Sequence, residues 1–155
     1  MEVLGGDSGS RVRALLERIA AAAGVAAVVE ISEDADGLTA VYVGEDLGVL
    51  IGRHGQTIDA IQHLAYRFAV QGDQERKRVV VDAAGYRERR ATALRAAADQ
   101  AAETAVHDHR TVSLEAMSPL ERKVIHEHLK TRHDVETYSE GQEPARRLVV
   151  APLLD

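Results

Sequence analysis

The first part of the chain alternates between apolar positions at helical spacing and short apolar runs typical of strands. After residue 11, apolar residues recur at the i, i+3, i+4, i+7 spacing of an amphipathic helix, and Gly24 is placed to end it. Residues 25–31 and 38–43 are rich in β-branched side chains and flank an acidic turn that contains Gly, so they predict two paired strands. Residues 1–10 hold three Gly and two Ser and are expected to form a flexible arm.

A four-residue turn with Gly at both ends interrupts the next helical segment. Residues 49–51 are apolar, Gly52-Arg53-His54-Gly55 follows, and apolar residues then recur on a helical face. This pattern predicts a helix, a turn and a second helix. Four apolar residues after the turn are expected to face the core: Ile58, Ile61, Leu64 and Phe68. Residues 79–81 predict a third short strand.

The second half begins with a long run of good helix formers. Residues 86–106 are rich in Ala and contain no Gly or Pro, which predicts one long helix. A short strand is expected at 111–115. Ser118-Pro119-Leu120-Glu121 then forms a capping box, which predicts a helix over residues 119–130. We expect a loop up to Glu143 and a final strand at 146–150.

This order of elements indicates an α+β protein. A chain of 155 residues has room for two small domains. The predicted boundaries place a first domain at residues 11–84 and a second at 111–155. An Ala-rich linker helix over residues 85–110 is expected to join them.

The composition argues against most catalytic and metal chemistry. The chain has no Cys, which excludes disulfides, thiolate zinc sites, iron–sulfur clusters and a Cys nucleophile. Gly6-Asp7-Ser8-Gly9 resembles the nucleophile loop of serine proteases, but it lies in the expected flexible arm, and a His and an Asp ahead of it are not expected. His126 and His128 point about 200° apart on a helix, so they cannot bind one metal ion together. We expect no enzyme activity, no cofactor and no metal site.

Membrane insertion is not expected either. No apolar run approaches the roughly 18 residues that would span a bilayer. Met1 is not followed by a basic and apolar leader. These features predict a cytoplasmic protein.

The formal net charge of −6 would by itself argue against a nucleic-acid ligand. However, the excess is confined to residues 1–50, which carry three Arg and nine Asp or Glu, whereas residues 51–155 carry sixteen residues of each sign. The cations of this neutral part are clustered, for example at Arg76-Lys77-Arg78 and again after Tyr86. Such clusters are either solvated surface or phosphate contacts. We predict an acidic N-terminal side that faces away from any nucleic acid.

The Gly52-Arg53-His54-Gly55 turn has the chemistry of a phosphate-backbone site. Gly at both ends permits a sharp turn and leaves no Cβ to block the approach of another chain. The amides at the start of the next helix would face outward beside Arg53 and His54, which suits a phosphate. An ordinary helix–helix turn is the alternative.

The spacing of Ile58, Ile61 and Leu64 after the turn favours a KH domain, whose Gly-x-x-Gly loop clamps about four nucleotides. Residues 11–83 resemble a KH domain of the prokaryotic (type II) order, with an extra helix and strand ahead of the core. The resemblance implies that Gly52, Arg53, His54 and Gly55 form the backbone clamp, with Ile51 and Ile58 as neighbouring groove or core residues. In this family, apolar residues rather than stacked rings line the groove, so the single Phe and absence of Trp are no objection.

A second motif follows on the capped helix. Arg122 and His126 are four apart and therefore share one face, which is either a solvated face or a binding surface. A Gly-x-Glu-Pro-x-Arg run at 141–146 and an apolar strand come next. The combination resembles the small α/β single-stranded nucleic-acid-binding domain named for its Arg-x-x-x-His motif. The resemblance implies that Arg122 and His126 meet phosphate or base, with Arg146 or Arg147 close by.

A KH domain followed by this second domain is the arrangement of the bacterial Jag family, also called KhpB or EloR. The resemblance implies binding of single-stranded RNA, or of single-stranded DNA, by an RNA chaperone or post-transcriptional regulator linked to cell elongation and envelope synthesis. Many relatives carry a further N-terminal domain, whose functions are not expected of this chain. The alternative is a protein-interaction module in which the Ala-rich helix packs against a second copy or a small KH protein.

Overall fold

The structure, a computed structural model, describes residues 7–71 and 77–154. The chain divides into two compact units, Met1–Arg87 and Glu88–Asp155. Within the described residues, no helix is both long and apolar enough to cross a membrane. The predicted α+β class is confirmed.

The first unit packs helices on one face of a three-stranded sheet. The strands lie in the order β1-β2-β3, with β1 antiparallel and β3 parallel to β2. The predicted pairing of the first two strands is thus confirmed. The elements are α1 (Ser8–Ala22), β1 (Ala27–Glu33), β2 (Gly37–Gly44), α2 (Gly48–Ile51), α3 (Gln56–Ala69) and β3 (Arg78–Ala83).

Tyr42 anchors the core of this unit. Its side chain is fully buried on β2, and its hydroxyl donates a hydrogen bond to the carbonyl of Leu16 on α1 at 2.7 Å. Burial raises the pKa of Tyr42 to about 12, because the phenolate would lose its hydration. This hydrogen bond therefore ties α1 to β2 in the neutral form of the ring.

Helix α1 begins earlier than the sequence pattern predicted. The flexible arm was expected to extend to Ser10, but α1 starts at Ser8 because the Asp7 side chain accepts a hydrogen bond from the Ser10 amide and caps the helix. Residues 1–6 of that arm lie outside the described residues. At the other end, the prediction for Gly24 is confirmed: its φ is +73°, and the amides of Gly24 and Val25 bond back to Ala21 and Ala20.

The predicted core face of α3 is only partly correct. Ile58 and Ile61 are buried, but Leu64 is 46% exposed and Phe68 is half-buried. The buried stripe continues instead through Ala65 and Ala69. At about 100° per residue, Ala65 lies within roughly 20° of Ile58, whereas Leu64 lies about 120° away. Helical phase rather than residue size decides which residues face the core.

The second unit is built around an antiparallel sheet in the order β4-β6-β5. Its elements are α4 (Tyr86–Asp108), which starts in the first unit, β4 (Val112–Ala116), α5 (Pro119–Leu129), β5 (Val135–Glu140) and β6 (Arg147–Pro152). The loop predicted up to Glu143 is wrong, because β5 lies within it. On β5, Val135 is buried and Thr137 is half-buried, so the strand lacks a strong apolar alternation in its sequence. Its hydrogen bonds to β6 hold this segment in the extended conformation.

Helix α4 joins the two domains and also contributes to the second core. Five residues of α4 are buried in a cluster with Ile125, Leu129 and Leu148. These five residues are Leu94, Ala98, Ala101, Ala102 and Ala105. Small side chains allow the close approach that this cluster needs. This face of α4 is therefore occupied within the chain.

Candidate nucleic-acid interface

Three left-handed residues shape the turn between α2 and α3. The φ angles of Gly52, His54 and Gly55 are +74°, +54° and +75°. A short 3-10 turn over Arg53–Gly55 is closed by the Gly55 amide, which donates to the Gly52 carbonyl at 3.3 Å. The side chains of Arg53 and His54 are exposed, while Gly55 is buried. The turn thus presents two basic side chains on a defined backbone.

Both glycines are required by close packing as well as by conformation. A Cβ on Gly52 would lie 2.2 Å from Oγ1 of Thr57. A Cβ on Gly55 would lie 2.6 Å from Cε1 of Tyr86. Both distances are far below van der Waals contact, so any larger residue would displace the turn.

The start of α3 adds backbone donors to this surface. Among the described residues, no side chain caps the helix at Gly55. The first-turn amides of an uncapped helix and its macrodipole favour an anion. The one carboxylate in that turn, Asp59, is paired with Arg87 at 2.8 Å.

Of the two apolar neighbours named from the sequence, Ile58 belongs to the core. Ile58 is fully buried, so of the two places that the resemblance implied for it, groove or core, the structure has the core. Ile51 is half-buried against the same core. Val49, on α2 beside the turn, is largely exposed, and sequence reasoning had treated it only as part of an apolar run. Because α2 has a single buried residue, Leu50, the exposed position follows from helical phase.

The Arg-x-x-x-His motif lies on a capped helix, as predicted. The Ser118 side chain accepts a hydrogen bond from the Glu121 amide, and Pro119 occupies the first turn. An open groove of about 420 Å³ lies between α5 and the edge strand β5. Its lining includes Arg122, Lys123, His126, Thr137, Ser139 and Arg146, with Leu148 among the apolar members.

Arg122 lines the groove, but most of its guanidinium is engaged within the protein. The residue is only 8% exposed. Its Nη1 donates to the carbonyl of Met117 at 2.8 Å and to that of Arg146 at 3.4 Å, and its Nη2 is paired with Glu143. The guanidinium therefore links the end of β4, the start of β6 and the loop between β5 and β6. The solvated face, one of the two alternatives from the sequence, does not describe this nearly buried position, and the predicted ligand contact stays a prediction.

His126 and Lys123 are the exposed basic residues of α5 in the groove. Nδ1 of His126 shares a hydrogen bond with Oγ1 of Thr137 on β5, which fixes the ring and leaves Nε2 for another partner. Lys123 follows Arg122 and is exposed. The sequence did not identify Lys123 or Thr137 as site residues. For Thr137 the reason is that its segment was predicted to be a loop.

The two C-terminal arginines separate. Arg146 lines the groove, but its guanidinium donates to the carbonyls of Gly141 and Ser139 at 2.7 and 3.3 Å and so closes the turn after β5. Arg147 is paired with Glu140 across the sheet. It neighbours Leu148, which faces the core with α5, so the strand alternation directs Arg147 to the opposite face. Among the described residues, no group of three or more His, Cys, Asp or Glu is arranged to hold a metal ion.

Comparison with known proteins agrees with the geometry of both units. Residues 10–82 match the KhpA/KhpB KH domain family, and residues 92–152 match the domain family named for its Arg-x-x-x-His motif. The chain is 37% identical over 123 residues to an RNA-binding protein KhpB of Clostridium symbiosum, covering 79% of this chain and 55% of the relative. It is 42% identical over 104 residues to the KhpB of Lactiplantibacillus plantarum, covering 67% and 32%.

A relative from Bacillus subtilis, also an RNA-binding protein KhpB, is 31% identical over 147 residues, which is 94% of this chain and 71% of the relative. The chain spans about half the length of the C. symbiosum protein and a third of that from L. plantarum. The match to B. subtilis covers both units, so the predicted order of domains is confirmed. With its KH domain followed by an Arg-x-x-x-His domain, the chain belongs to the KhpB, or Jag, family of RNA-binding proteins.

Proposed function

We propose that this chain binds single-stranded RNA through the Gly52–Gly55 turn and the groove beside His126. The observation that supports this most is the turn itself. Arg53 and His54 project from a backbone whose two glycines are fixed by packing against Thr57 and Tyr86. A phosphate backbone can be bound by such a surface, which presents two exposed basic side chains on a backbone of defined geometry.

The second contact surface is proposed to consist of two exposed basic residues of α5 and two half-buried hydroxyl residues of β5. His126 offers Nε2, Lys123 offers an ammonium group, and Thr137 and Ser139 add hydroxyls along the edge strand. Arg122 and Arg146 hold the shape of this groove through their bonds to backbone carbonyls. The proposal keeps the RNA contact that the resemblance implied for His126, and it assigns the contact implied for Arg122 to the neighbouring Lys123.

The cellular role proposed for this binding is that of an RNA chaperone or post-transcriptional regulator in the cytoplasm, without catalysis. The family resemblance connects it to cell elongation and envelope synthesis. Crosslinking in cells, followed by sequencing of the attached nucleic acid, would identify the RNAs or show DNA instead.

The turn is tested with salt titrations and a charge-matched control. For a mixed-sequence RNA oligomer, each neutralised phosphate adds about −0.7 to the slope of log affinity against log salt. Arg53→Asp with His54→Asp should weaken binding and flatten this slope without unfolding the domain. Arg18→Asp with Ala21→Asp changes the formal charge equally at exposed positions of α1 and should leave both quantities nearly unchanged. Salt-independent binding by the wild-type chain would contradict the proposal.

A protein-interaction module is the second candidate. Val28 and Val43 are register partners on β1 and β2, and their side chains are 65% and 43% exposed, which provides an apolar surface on the sheet. Size-exclusion chromatography with light scattering, alone and with a small KH protein, distinguishes the two candidates. A stable complex together with the absence of RNA binding would favour this function over the first.

A further inference from the structure

Helix α4 was expected to be a linker, but its first turn lies against the KH turn. Gly55 is buried although Arg53, His54 and Gln56 around it are exposed, and the ring of Tyr86 covers it. A Cβ on Gly55 would lie 2.8 Å from the Tyr86 hydroxyl oxygen and 3.0 Å from Cζ as well as against Cε1. The backbone of the turn therefore rests directly on this ring.

The neighbouring residue holds the next part of the same segment. The guanidinium of Arg87 donates to the carboxylate of Asp59 at 2.8 Å and to the carbonyl of Val81 at 2.8 Å. Asp59 lies in the first turn of α3, one helical turn after Gly55. Arg87 thus connects α3 to strand β3, and it neutralises the carboxylate closest in sequence to the proposed phosphate site.

A tight reversal after β3 places both residues. Ala84 and Gly85 have φ angles of +54° and +65°, and the Asp82 carboxylate accepts hydrogen bonds from the amides of Ala83 and Arg87. The chain therefore turns back onto the KH core before α4 continues. The compact first unit likewise ends at Arg87, beyond the predicted boundary at residue 84 and beyond the KH family match at 82.

We infer that the first turn of α4 is a brace for the Gly52–Gly55 turn, with Tyr86 and Arg87 as positioning residues for RNA binding. The inference rests on the proposed function of that turn. The ring keeps the left-handed backbone in place, so that Arg53 and His54 meet successive phosphates together. Without the ring, the glycines are free to leave this conformation, and fewer phosphates are bound at once.

The test compares Tyr86→Ala, Tyr86→Phe and a core control in the full chain. Val12→Ala removes buried volume from α1 in the same unit without touching the turn. All variants are measured with one mixed-sequence RNA oligomer at a temperature where circular dichroism shows each to be folded. We expect Tyr86→Ala to weaken binding about five- to tenfold, the effect of a typical coupled pair of residues. Its salt slope should also become less negative by about 0.7 for each phosphate that is no longer neutralised. Tyr86→Phe and Val12→Ala should retain the slope.

A second readout needs no RNA. The amides of Gly55 and Gln56 donate to the carbonyls of Gly52 and Arg53, so their hydrogen exchange reports on the turn. Exchange at these amides should accelerate in Tyr86→Ala and stay unchanged in Val12→Ala. If Tyr86→Ala does not fold, Tyr86→Leu, which keeps apolar volume without a ring, takes its place.

The outcomes separate the brace from the proposed function. If the wild-type chain does not bind RNA, the proposed function fails. Hydrogen exchange at the Gly55 and Gln56 amides then decides by itself whether Tyr86 holds the turn in place. If the wild-type chain binds RNA with a negative salt slope but Tyr86→Ala matches it in affinity, slope and exchange, the brace is refuted and the proposed function stands.

Discussion

Arg122 provides the sharpest distinction between a ligand contact and a structural role. Replacing it with Ala removes donors from the Met117 carbonyl and from the Glu143 carboxylate. Hydrogen bonds to a charged group contribute about 1.5–3 kcal/mol each, and a buried acceptor left without a partner costs about 1–3 kcal/mol. The Glu143 side chain is 51% exposed and is hydrated once Arg122 is removed, so the loss of this ion pair contributes little to the change in the free energy of unfolding.

We therefore expect Arg122→Ala to destabilise the second unit by about 3 kcal/mol. For a unit of this size, about 1 kcal/mol corresponds to a shift of about 4–8 °C, so the midpoint of its thermal unfolding should fall by about 12–24 °C. Arg122→Lys keeps the charge but cannot form the fork, so it should lose about 2 kcal/mol. Lys123→Ala, at the exposed neighbouring position, should stay within about 0.5 kcal/mol of the wild-type chain.

The assay must observe the second unit alone. Urea unfolding followed by hydrogen exchange and mass spectrometry reads peptides of α5 and β6 apart from those of the first unit. RNA affinity is then measured without urea at a temperature where each variant is folded. One combined result would contradict this reasoning. In it, Arg122→Ala leaves the stability of these peptides unchanged but abolishes RNA binding, whereas Arg122→Lys retains RNA binding. That result would place the guanidinium on the ligand.

Single side chains elsewhere give three further predictions. His126→Ala should weaken RNA binding while the midpoint of unfolding changes little, because the ring is exposed; a fluorescence-anisotropy titration beside a melting curve checks both. Ser118→Ala should destabilise the second unit by about 1 kcal/mol because the Glu121 amide is no longer capped, and urea unfolding measures this change. Because the pKa of Tyr42 is raised in the folded state, its stabilising contribution is complete below pH 10 and is lost as pH rises towards 12. The free energy of unfolding should fall by about 2–3 kcal/mol across this range relative to Tyr42→Phe, and equal pH dependence of the two would contradict the assignment.

Local signals in the sequence predicted most elements because each has a short-range cause. The cap at Ser118, the end of α1 at Gly24 and the left-handed turn at Gly52 and Gly55 all depend on neighbouring residues. Strand β5 has no such signal. It is ordered by its hydrogen bonds to β6, a separate segment of the chain, and was therefore assigned to a loop.

The roles of the charged residues were less predictable. A helical spacing of four places Arg122 and His126 on the same face, yet one is buried and the other exposed. The difference arises because the carbonyls of Met117 and Arg146 converge on Arg122 from different parts of the chain. Likewise, Arg146 and Arg147 are adjacent, and only strand alternation and pairing separate the residue lining the groove from the one on the opposite face.

The sequence by itself determined the two domains, their order and the position of the glycine turn, because these follow from periodicity, capping and the unique freedom of Gly. Only the tertiary structure decided what surrounds these features. Tyr86 lies 31 residues after Gly55, and no local pattern connects them, but the reversal after β3 brings the ring against the turn. Such an approach depends on how β3 and α3 pack together, and that packing is fixed by the whole core rather than by any single segment.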